Sequence, residues 1–471
     1  MLSKVAMSRP LVGREMLRPR DENETQARLA VSVAAREGAG LRTEDVTGWL
    51  DACAATHRFR VDRIPFAGLG DWSFDADTGN LRHRSGRFFS VEGLRVSVDE
   101  VVQTWSQPII RQPEIGVLGI LVKEIDGVLH CLMQAKMEPG NPNLLQLSPT
   151  VQATRSNYTG VHGGSQVRYL EYFTEPGRGR VLADVLQSEH GSWFHCKSNR
   201  NMVVEATDDV TPADGFCWLT LGQIAELLRR DHVVNMDART VLACLPLTTQ
   251  QQEGRALLTD AELLSWITGE RSRRALSVER IPLSDVDGWV RGPDSIRHEQ
   301  GRYFSVVAVS VVAGNREVAT WRQPLFEPHG TGVTAFLRRE ISGVPHVLVN
   351  AKVEGGLLDT LELAPTVQCT PENYAHLPAA QRPGFLDLVL TAEPHRRRYE
   401  ALHSEEGGRF LNATSRYLII DVTDDDVPHP CPPGFQWVTP AQLGTLVRHG
   451  HYVNVQARTL LACLTTGAVE P

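Results

Sequence analysis

A chain of 471 residues with 42% hydrophobic and 22% charged side chains carries enough apolar material for two or three soluble domains. Its formal net charge of −8 argues against a nucleic-acid coat, though not against a local basic pocket for a phosphate. No apolar run approaches the roughly 20 residues that span a bilayer, and the opening stretch MLSKVAMSRPLVGREMLRPRDENETQ lacks the apolar core of a secretory signal. A cytoplasmic protein is expected.

In chain order, residues 1–57 read as a leader with a helical segment. FFSVEGLRVSV (88–98) alternates and is rich in β-branched residues, which predicts a strand. IGVLGILVKEIDGVLHCLMQAKM (115–137) is two apolar runs split by Asp-Gly, a tight hairpin signal. LSPTVQATRSNY (147–158) follows, with a proline that discourages a central strand. Leu221, Ile224, Leu227 and Leu228 then recur at helical spacing, with Thr220 placed to cap.

The same series returns about 217 residues later. LRHRSGRFFSV returns as IRHEQGRYFSV, AKMEPG as AKVEGG, QSEHGSWF as HSEEGGRF, and ARTVLACL as ARTLLACL. The register barely drifts: Trp72 to Trp289 is 217 positions, Tyr158 to Tyr374 is 216, and Arg239 to Arg458 is 219. That period is far longer than the roughly 20–50 residues of a solenoid unit, so one α+β domain is duplicated, over 58–250 and 251–471.

Polar residues matched between copies are the first candidates for a site. Thr150, Gln152 and Thr154 alternate, as do Thr366, Gln368 and Thr370, so each trio would share one face of an extended segment. Such a face could line a polar ligand such as a sugar, or could simply be solvated. Lys136 with Glu138, and Lys352 with Glu354, could meet a phosphate or form an ordinary salt bridge. Trp72 and Trp289 could stack on a ring or anchor a core. Matched histidines (His83/His298, His130/His346, His232/His451) lack metal-site spacing, and Cys244 and Cys463 read as buried thiols. No GxSxG elbow, Walker loop or strand–GxGxxG–helix unit is present, so neither NAD nor a covalent serine is indicated. The copies also differ, as at His190 against Glu406, which suggests inequivalent pockets.

On the PTVQ segments, AKMEPG and AKVEGG, the SQP and RQP segments and the two ARTxLACL endings, the chain resembles the NDP-hexose 2,3-dehydratases of deoxysugar biosynthesis. The likeness runs from about residue 58 onward, in both copies. It implies two tandem Nudix-like domains, with mixed sheets flanked by helices, in a homodimer. It implies dTDP-4-keto-6-deoxy-D-glucose as substrate, losing its C2 hydroxyl through C3 proton abstraction and an enolate, without cofactor or metal. The 3,4-diketo-2,6-dideoxy product would pass to a 3-ketoreductase. Nucleotide-sugar contacts would fall on Trp72, Thr150, Val151, Gln152, Ala153, Thr154 and Ser188, and on Trp289, Lys352, Thr366, Val367, Gln368, Asn373, Tyr374, Ser404 and Glu405. Lys136 or Lys352 and Tyr158 or Tyr374 would donate to O4, and Glu138, Glu189, Glu354 or Glu405 would be the base. The carboxylate helix of a Nudix hydrolase is missing, which counts against metal-assisted pyrophosphate cleavage. The rival reading is a pseudo-Nudix protein that binds a nucleotide sugar without turning it over.

Overall fold

The two hairpin signals lie at the centre of each repeat. Asp126-Gly127 and Ser342-Gly343 all have positive φ (52° and 80°, 52° and 78°), the turn that matches strand twist. They join Gly116–Ile125 to Val128–Met137 and Gly332–Ile341 to Val344–Lys352 in a computed structural model describing residues 23–99, 103–154, 167–247, 254–314, 318–428 and 430–469. Each hairpin is the middle of a seven-stranded mixed sheet. In the first repeat Ser198–Ala206 runs parallel to Gly116–Ile125, while the remaining ladders are antiparallel. Pro149 has no amide to give, and the chain there leaves one ladder (Leu145–Ser148) and enters another (Val151–Ala153).

Helices close one face of each large sheet. Thr220 and Thr439 each accept the amide three residues on, and Gln223 and Gln442 reach back to complete capping boxes. Met236–Leu242 and Val455–Thr465 begin at Asn235 and Asn454, whose side chains cap in the same way. His130 and His346 accept the amides of Ala39 and Leu257, both at 3.0 Å, and Cys244 and Cys463 are fully buried. These are structural roles, as their surroundings in the sequence suggest. One apolar core runs through both repeats, from Leu29 to Ala468.

The repeats exchange strands. Each has a second, five-stranded sheet, and each of these takes one strand from the other repeat. Phe59–Ile64 pairs with Phe304–Ala313, and Leu276–Ile281 pairs with Ser90–Val98. The ART motifs stitch the seam. Arg239 Nη2 donates to Ser404 O at 2.6 Å and its Nε to Thr459 Oγ1; Arg458 Nη2 donates to Ser188 O at 2.5 Å and its Nε to Thr240 Oγ1. Both guanidiniums are buried, so each needs these acceptors in place of water. The AKMEPG and AKVEGG glycines do the same with backbone. Gly140 N donates to Gly407 O and Gly356 N to Gly191 O, both at 2.7 Å. A Cβ on Gly140 would lie 1.7 Å from Phe410 O, and one on Gly356 1.8 Å from Phe194 O.

Candidate active site

A cleft of about 960 Å³ opens on the first repeat and is walled by both repeats. The first repeat supplies Trp72, Lys136, Glu138, Gln152, Glu189, Lys197, Asn199 and Asp237; the second supplies Ser310–Val312, Thr320–Gln323, Glu406 and Arg409. The volume is at the upper end of ordinary ligand sites, about 300–1,000 Å³.

Its floor is a fixed amide–carboxylate network. Glu138 follows the strand Val128–Met137 and accepts from Gln152 Nε2 at 2.6 Å, Asn141 Nδ2 at 3.0 Å and Asn235 Nδ2 at 3.2 Å. Donors on both oxygens hold the carboxylate in one orientation. Lys136, on the same strand, is buried and also lines the cleft.

Glu189 lies deeper, accepting from Asn199 Nδ2 at 2.7 Å. Burial pushes its carboxyl up, but His190, Lys197 and Arg458 outweigh that and leave it below its ordinary value. His190 Nε2 is 2.9 Å from Glu405 Oε2 and its Nδ1 is 3.5 Å from Glu189 Oε2. Burial opposes its charge, yet the two carboxylates lift the imidazole to about 9. Lys197 spends its donors on Glu114 O, Ser198 O and Asn199 Oδ1, and burial lowers it to about 8. Asp237, near the start of Met236–Leu242, goes the other way. Burial, then the charges of Glu138, Glu189 and Glu406, drive it well above the carboxylate range. Burial likewise raises Glu406 to about 7. The cleft therefore holds both a carboxyl pushed below its ordinary value and carboxyls pushed above theirs, the arrangement that separates a base from an acid.

The matched place in the second repeat keeps the floor and loses this chemistry. Glu354 accepts from Gln368 and Ser192, and Asn454 donates to Gln368. Lys352 Nζ donates to the carbonyl of Gln368 at 2.7 Å. Lys197, Asp237, Glu406 and Arg409 correspond to Ala413, Gln456, His190 and Trp193. The Arg409 guanidinium lies 4.5 Å from the centre of the Phe89 ring; at the matched place the first repeat's Trp193 lies against Phe304.

Several residues singled out in the sequence have other places. Thr150 and Thr366 are buried clips: Thr150 Oγ1 accepts from Leu121 N and donates to Leu132 O, and Thr366 Oγ1 accepts from Leu337 N and donates to Leu348 O. Their hydroxyls face neighbouring strands, which corrects the reading of three alternating side chains on one ligand face. Val151 and Val367 turn their side chains into apolar cores. Ser188 donates to Glu362 and Ser404 accepts from Gln146, both across the seam. Glu405 turns to His190 and Tyr417, and the next residue, Glu406, lines the cleft. Asn373 accepts from Tyr303 N, and burial raises the Tyr374 phenol. Trp72 is both core and cleft wall, its indole donating to Arg322 O at 2.9 Å; Trp289 donates to Ser106 O. Gln152, Ala153 and Thr154 line the cleft, while Tyr158 lies outside the described residues.

Lys197, Asn199, Asp237 and Arg409 went unsingled because the sequence was searched for matched polar positions. The usable signal was mismatch between copies, of which His190 against Glu406 was the one instance noted that reaches this cleft. Among the described residues no group of His, Cys, Asp and Glu is arranged to hold a metal ion.

A duplicated α+β fold thus carries a charged cleft shared between its two copies. The chain belongs to the NDP-hexose 2,3-dehydratase family, whose model matches residues 43–245 and again 260–464. It is 60% identical over 461 residues to a dTDP-4-dehydro-6-deoxy-alpha-D-glucopyranose 2,3-dehydratase of Amycolatopsis orientalis, covering 97% of each chain. Enzymes of the same name from Saccharopolyspora spinosa and Streptomyces violaceoruber are 50% and 51% identical, over 95% and 90% of this chain and 96% and 98% of theirs.

Proposed function

We propose that this chain removes water from dTDP-4-dehydro-6-deoxy-D-glucose at the first-repeat cleft, giving a 3,4-diketo-2,6-dideoxy sugar. The C4 ketone acidifies the C3 proton. A carboxylate takes that proton, charge gathers on O4, and the C2 hydroxyl departs. C3 is oxidised as C2 is reduced, so the reaction is redox-neutral within the substrate. Glu138 and Glu189 are the carboxylates at hand, and Lys136 is the cation for O4. The reading rests on one observation: the carboxyls of Glu138, Glu189, Asp237 and Glu406 share one cleft with Lys136, while the second repeat's matched place has Gln456 and His190 for Asp237 and Glu406.

The product, a vicinal diketone, suits a 3-ketoreductase as its consumer. By family likeness the working form is a homodimer in the cytoplasm; among the described residues no helix is long and apolar enough to cross a membrane.

Paired substitutions test the choice of cleft. Lys136→Met should lower turnover by roughly 10²–10³-fold, the worth of one oxyanion donor, and Lys352→Met should leave it within a few-fold. Water loss is followed by the mass of the sugar nucleotide. No water loss by the unaltered protein would refute the activity, and sensitivity to Lys352 alone would move the site to the other repeat.

A further inference from the structure

Three carboxyls at the cleft have an oxygen that is buried and receives no hydrogen bond among the described residues: Asp237 Oδ1, Glu406 Oε2 and Glu189 Oε2, of which the last is set against His190. Asp237 is only 4% exposed. A buried oxygen without a donor is costly, and in a residue that lines a cavity it points to a ligand's polar group. Its frame is rigid. Asn235 caps the same helix and donates to both Glu138 and Gln152, so helix and floor are tied together around the carboxyl. The second repeat keeps that frame, with Asn454 tied to Gln368, but sets Gln456 where Asp237 stands. An amide has no proton to release at neutral pH. Burial, then Glu138, Glu189 and Glu406, raise the Asp237 carboxyl well above its ordinary value.

We propose that Asp237 is the general acid that protonates the departing C2 hydroxyl. The assignment rests on the dehydratase reading above. Glu138 or Glu189 takes the C3 proton, and the C–H pair becomes a C3=C4 bond with charge on O4. That charge returns as C2=C3 forms and the C2–O bond breaks, and the hydroxyl leaves with the Asp237 proton as water. The enol then moves its O3 proton to C2, giving the diketone. The proton taken from C3 resets Asp237.

The test separates proton removal from hydroxyl departure. Asp237→Asn and Asp237→Gln, the latter copying the residue that the second repeat already accommodates, are incubated with dTDP-4-dehydro-6-deoxy-D-glucose in D₂O. Water loss should fall by roughly 10²–10⁴-fold, while C3 deuterium still enters recovered substrate. A 2-deoxy-2-fluoro analogue should release fluoride within a few-fold of the unaltered protein, since fluoride needs no proton to leave. Undiminished water loss would overturn the assignment, as would equal loss of exchange, fluoride release and water loss in both variants. An unaltered protein that forms no diketone would instead overturn the dehydratase reading, and this one with it.

Discussion

His190 is the sharpest thermodynamic probe of the seam. It is 3% exposed and lies between the glutamates that the two repeats place at matching positions, Glu189 and Glu405. Burial works against its charge, and the carboxylates overcome burial to raise it from an ordinary 6.5 to about 9. At 1.36 kcal/mol per pH unit, that rise corresponds to about 3 kcal/mol of stability in the folded state. The same contacts lower Glu189 and Glu405, so the energy is counted once. A raised folded value means that the contribution is complete below the unfolded value near 6.5. It drains as pH climbs toward 9.

His190→Gln removes the imidazolium and keeps a polar side chain. Urea unfolding of both proteins, followed by tryptophan fluorescence, gives their stability difference at each pH. Lys197, lowered to about 8, titrates in both and largely cancels. The gap should be widest near pH 6.5 and close by about 1.4 kcal/mol per unit up to about pH 9. A gap that stays flat or widens over that window would show that no proton bridges the two glutamates.

Gly140→Ala should cost on the order of 3 kcal/mol or yield insoluble protein, because its Cβ would meet Phe410 O at 1.7 Å. Gly48→Ala, in the helix Asp45–Ala55 with nothing within 4 Å, should instead add about 0.5–1 kcal/mol, so thermal midpoints should move in opposite directions. For pH dependence, Glu406 is raised to about 7 chiefly by burial, amid Arg409, Glu138 and Glu189. A required proton in this cluster makes kcat/KM fall as pH rises through neutrality, and Glu406→Gln should displace that falling limb; an unmoved limb would exclude Glu406 from it.

Much of the fold could be read from residues. The Asp-Gly and Ser-Gly turns, the Thr220 and Thr439 caps and the duplicated α+β pattern all follow from local rules, because positive φ and orphan helix amides demand particular side chains. The exchange of Phe59–Ile64 and Leu276–Ile281 was not legible, since a strand reads the same whichever sheet it joins. The site was half legible. Lys136, Glu138, Gln152 and Glu189 were found as matched polar residues, yet the same search also selected Thr150, Ser188 and their twins, which bond to protein. Asp237 sits in NMDART among apolar neighbours, where spacing alone gives no hint that its carboxyl faces a cavity.

The split between matched and mismatched residues has a physical cause. A seam with near two-fold symmetry uses each contact twice: Arg239 needs Ser404 O as Arg458 needs Ser188 O, so ART, the Ser-Glu pair and the close-packed glycines must appear in both copies. A cleft charged on one side needs its charged groups once, and they stand opposite Ala413, Gln456, His190 and Trp193. The strand exchange makes the arrangement hold together. Phe59–Ile64, from the first repeat, pairs with Phe304–Ala313, which pairs with Thr320–Pro328, the strand bearing the far wall of the first repeat's cleft. Each copy thus braces the wall that the other contributes, and the second repeat completes the first repeat's cleft. Repetition in this sequence marks where the halves join and the floor that both copies keep, and departure from repetition adds Lys197, Asp237, Glu406 and Arg409 to one cleft.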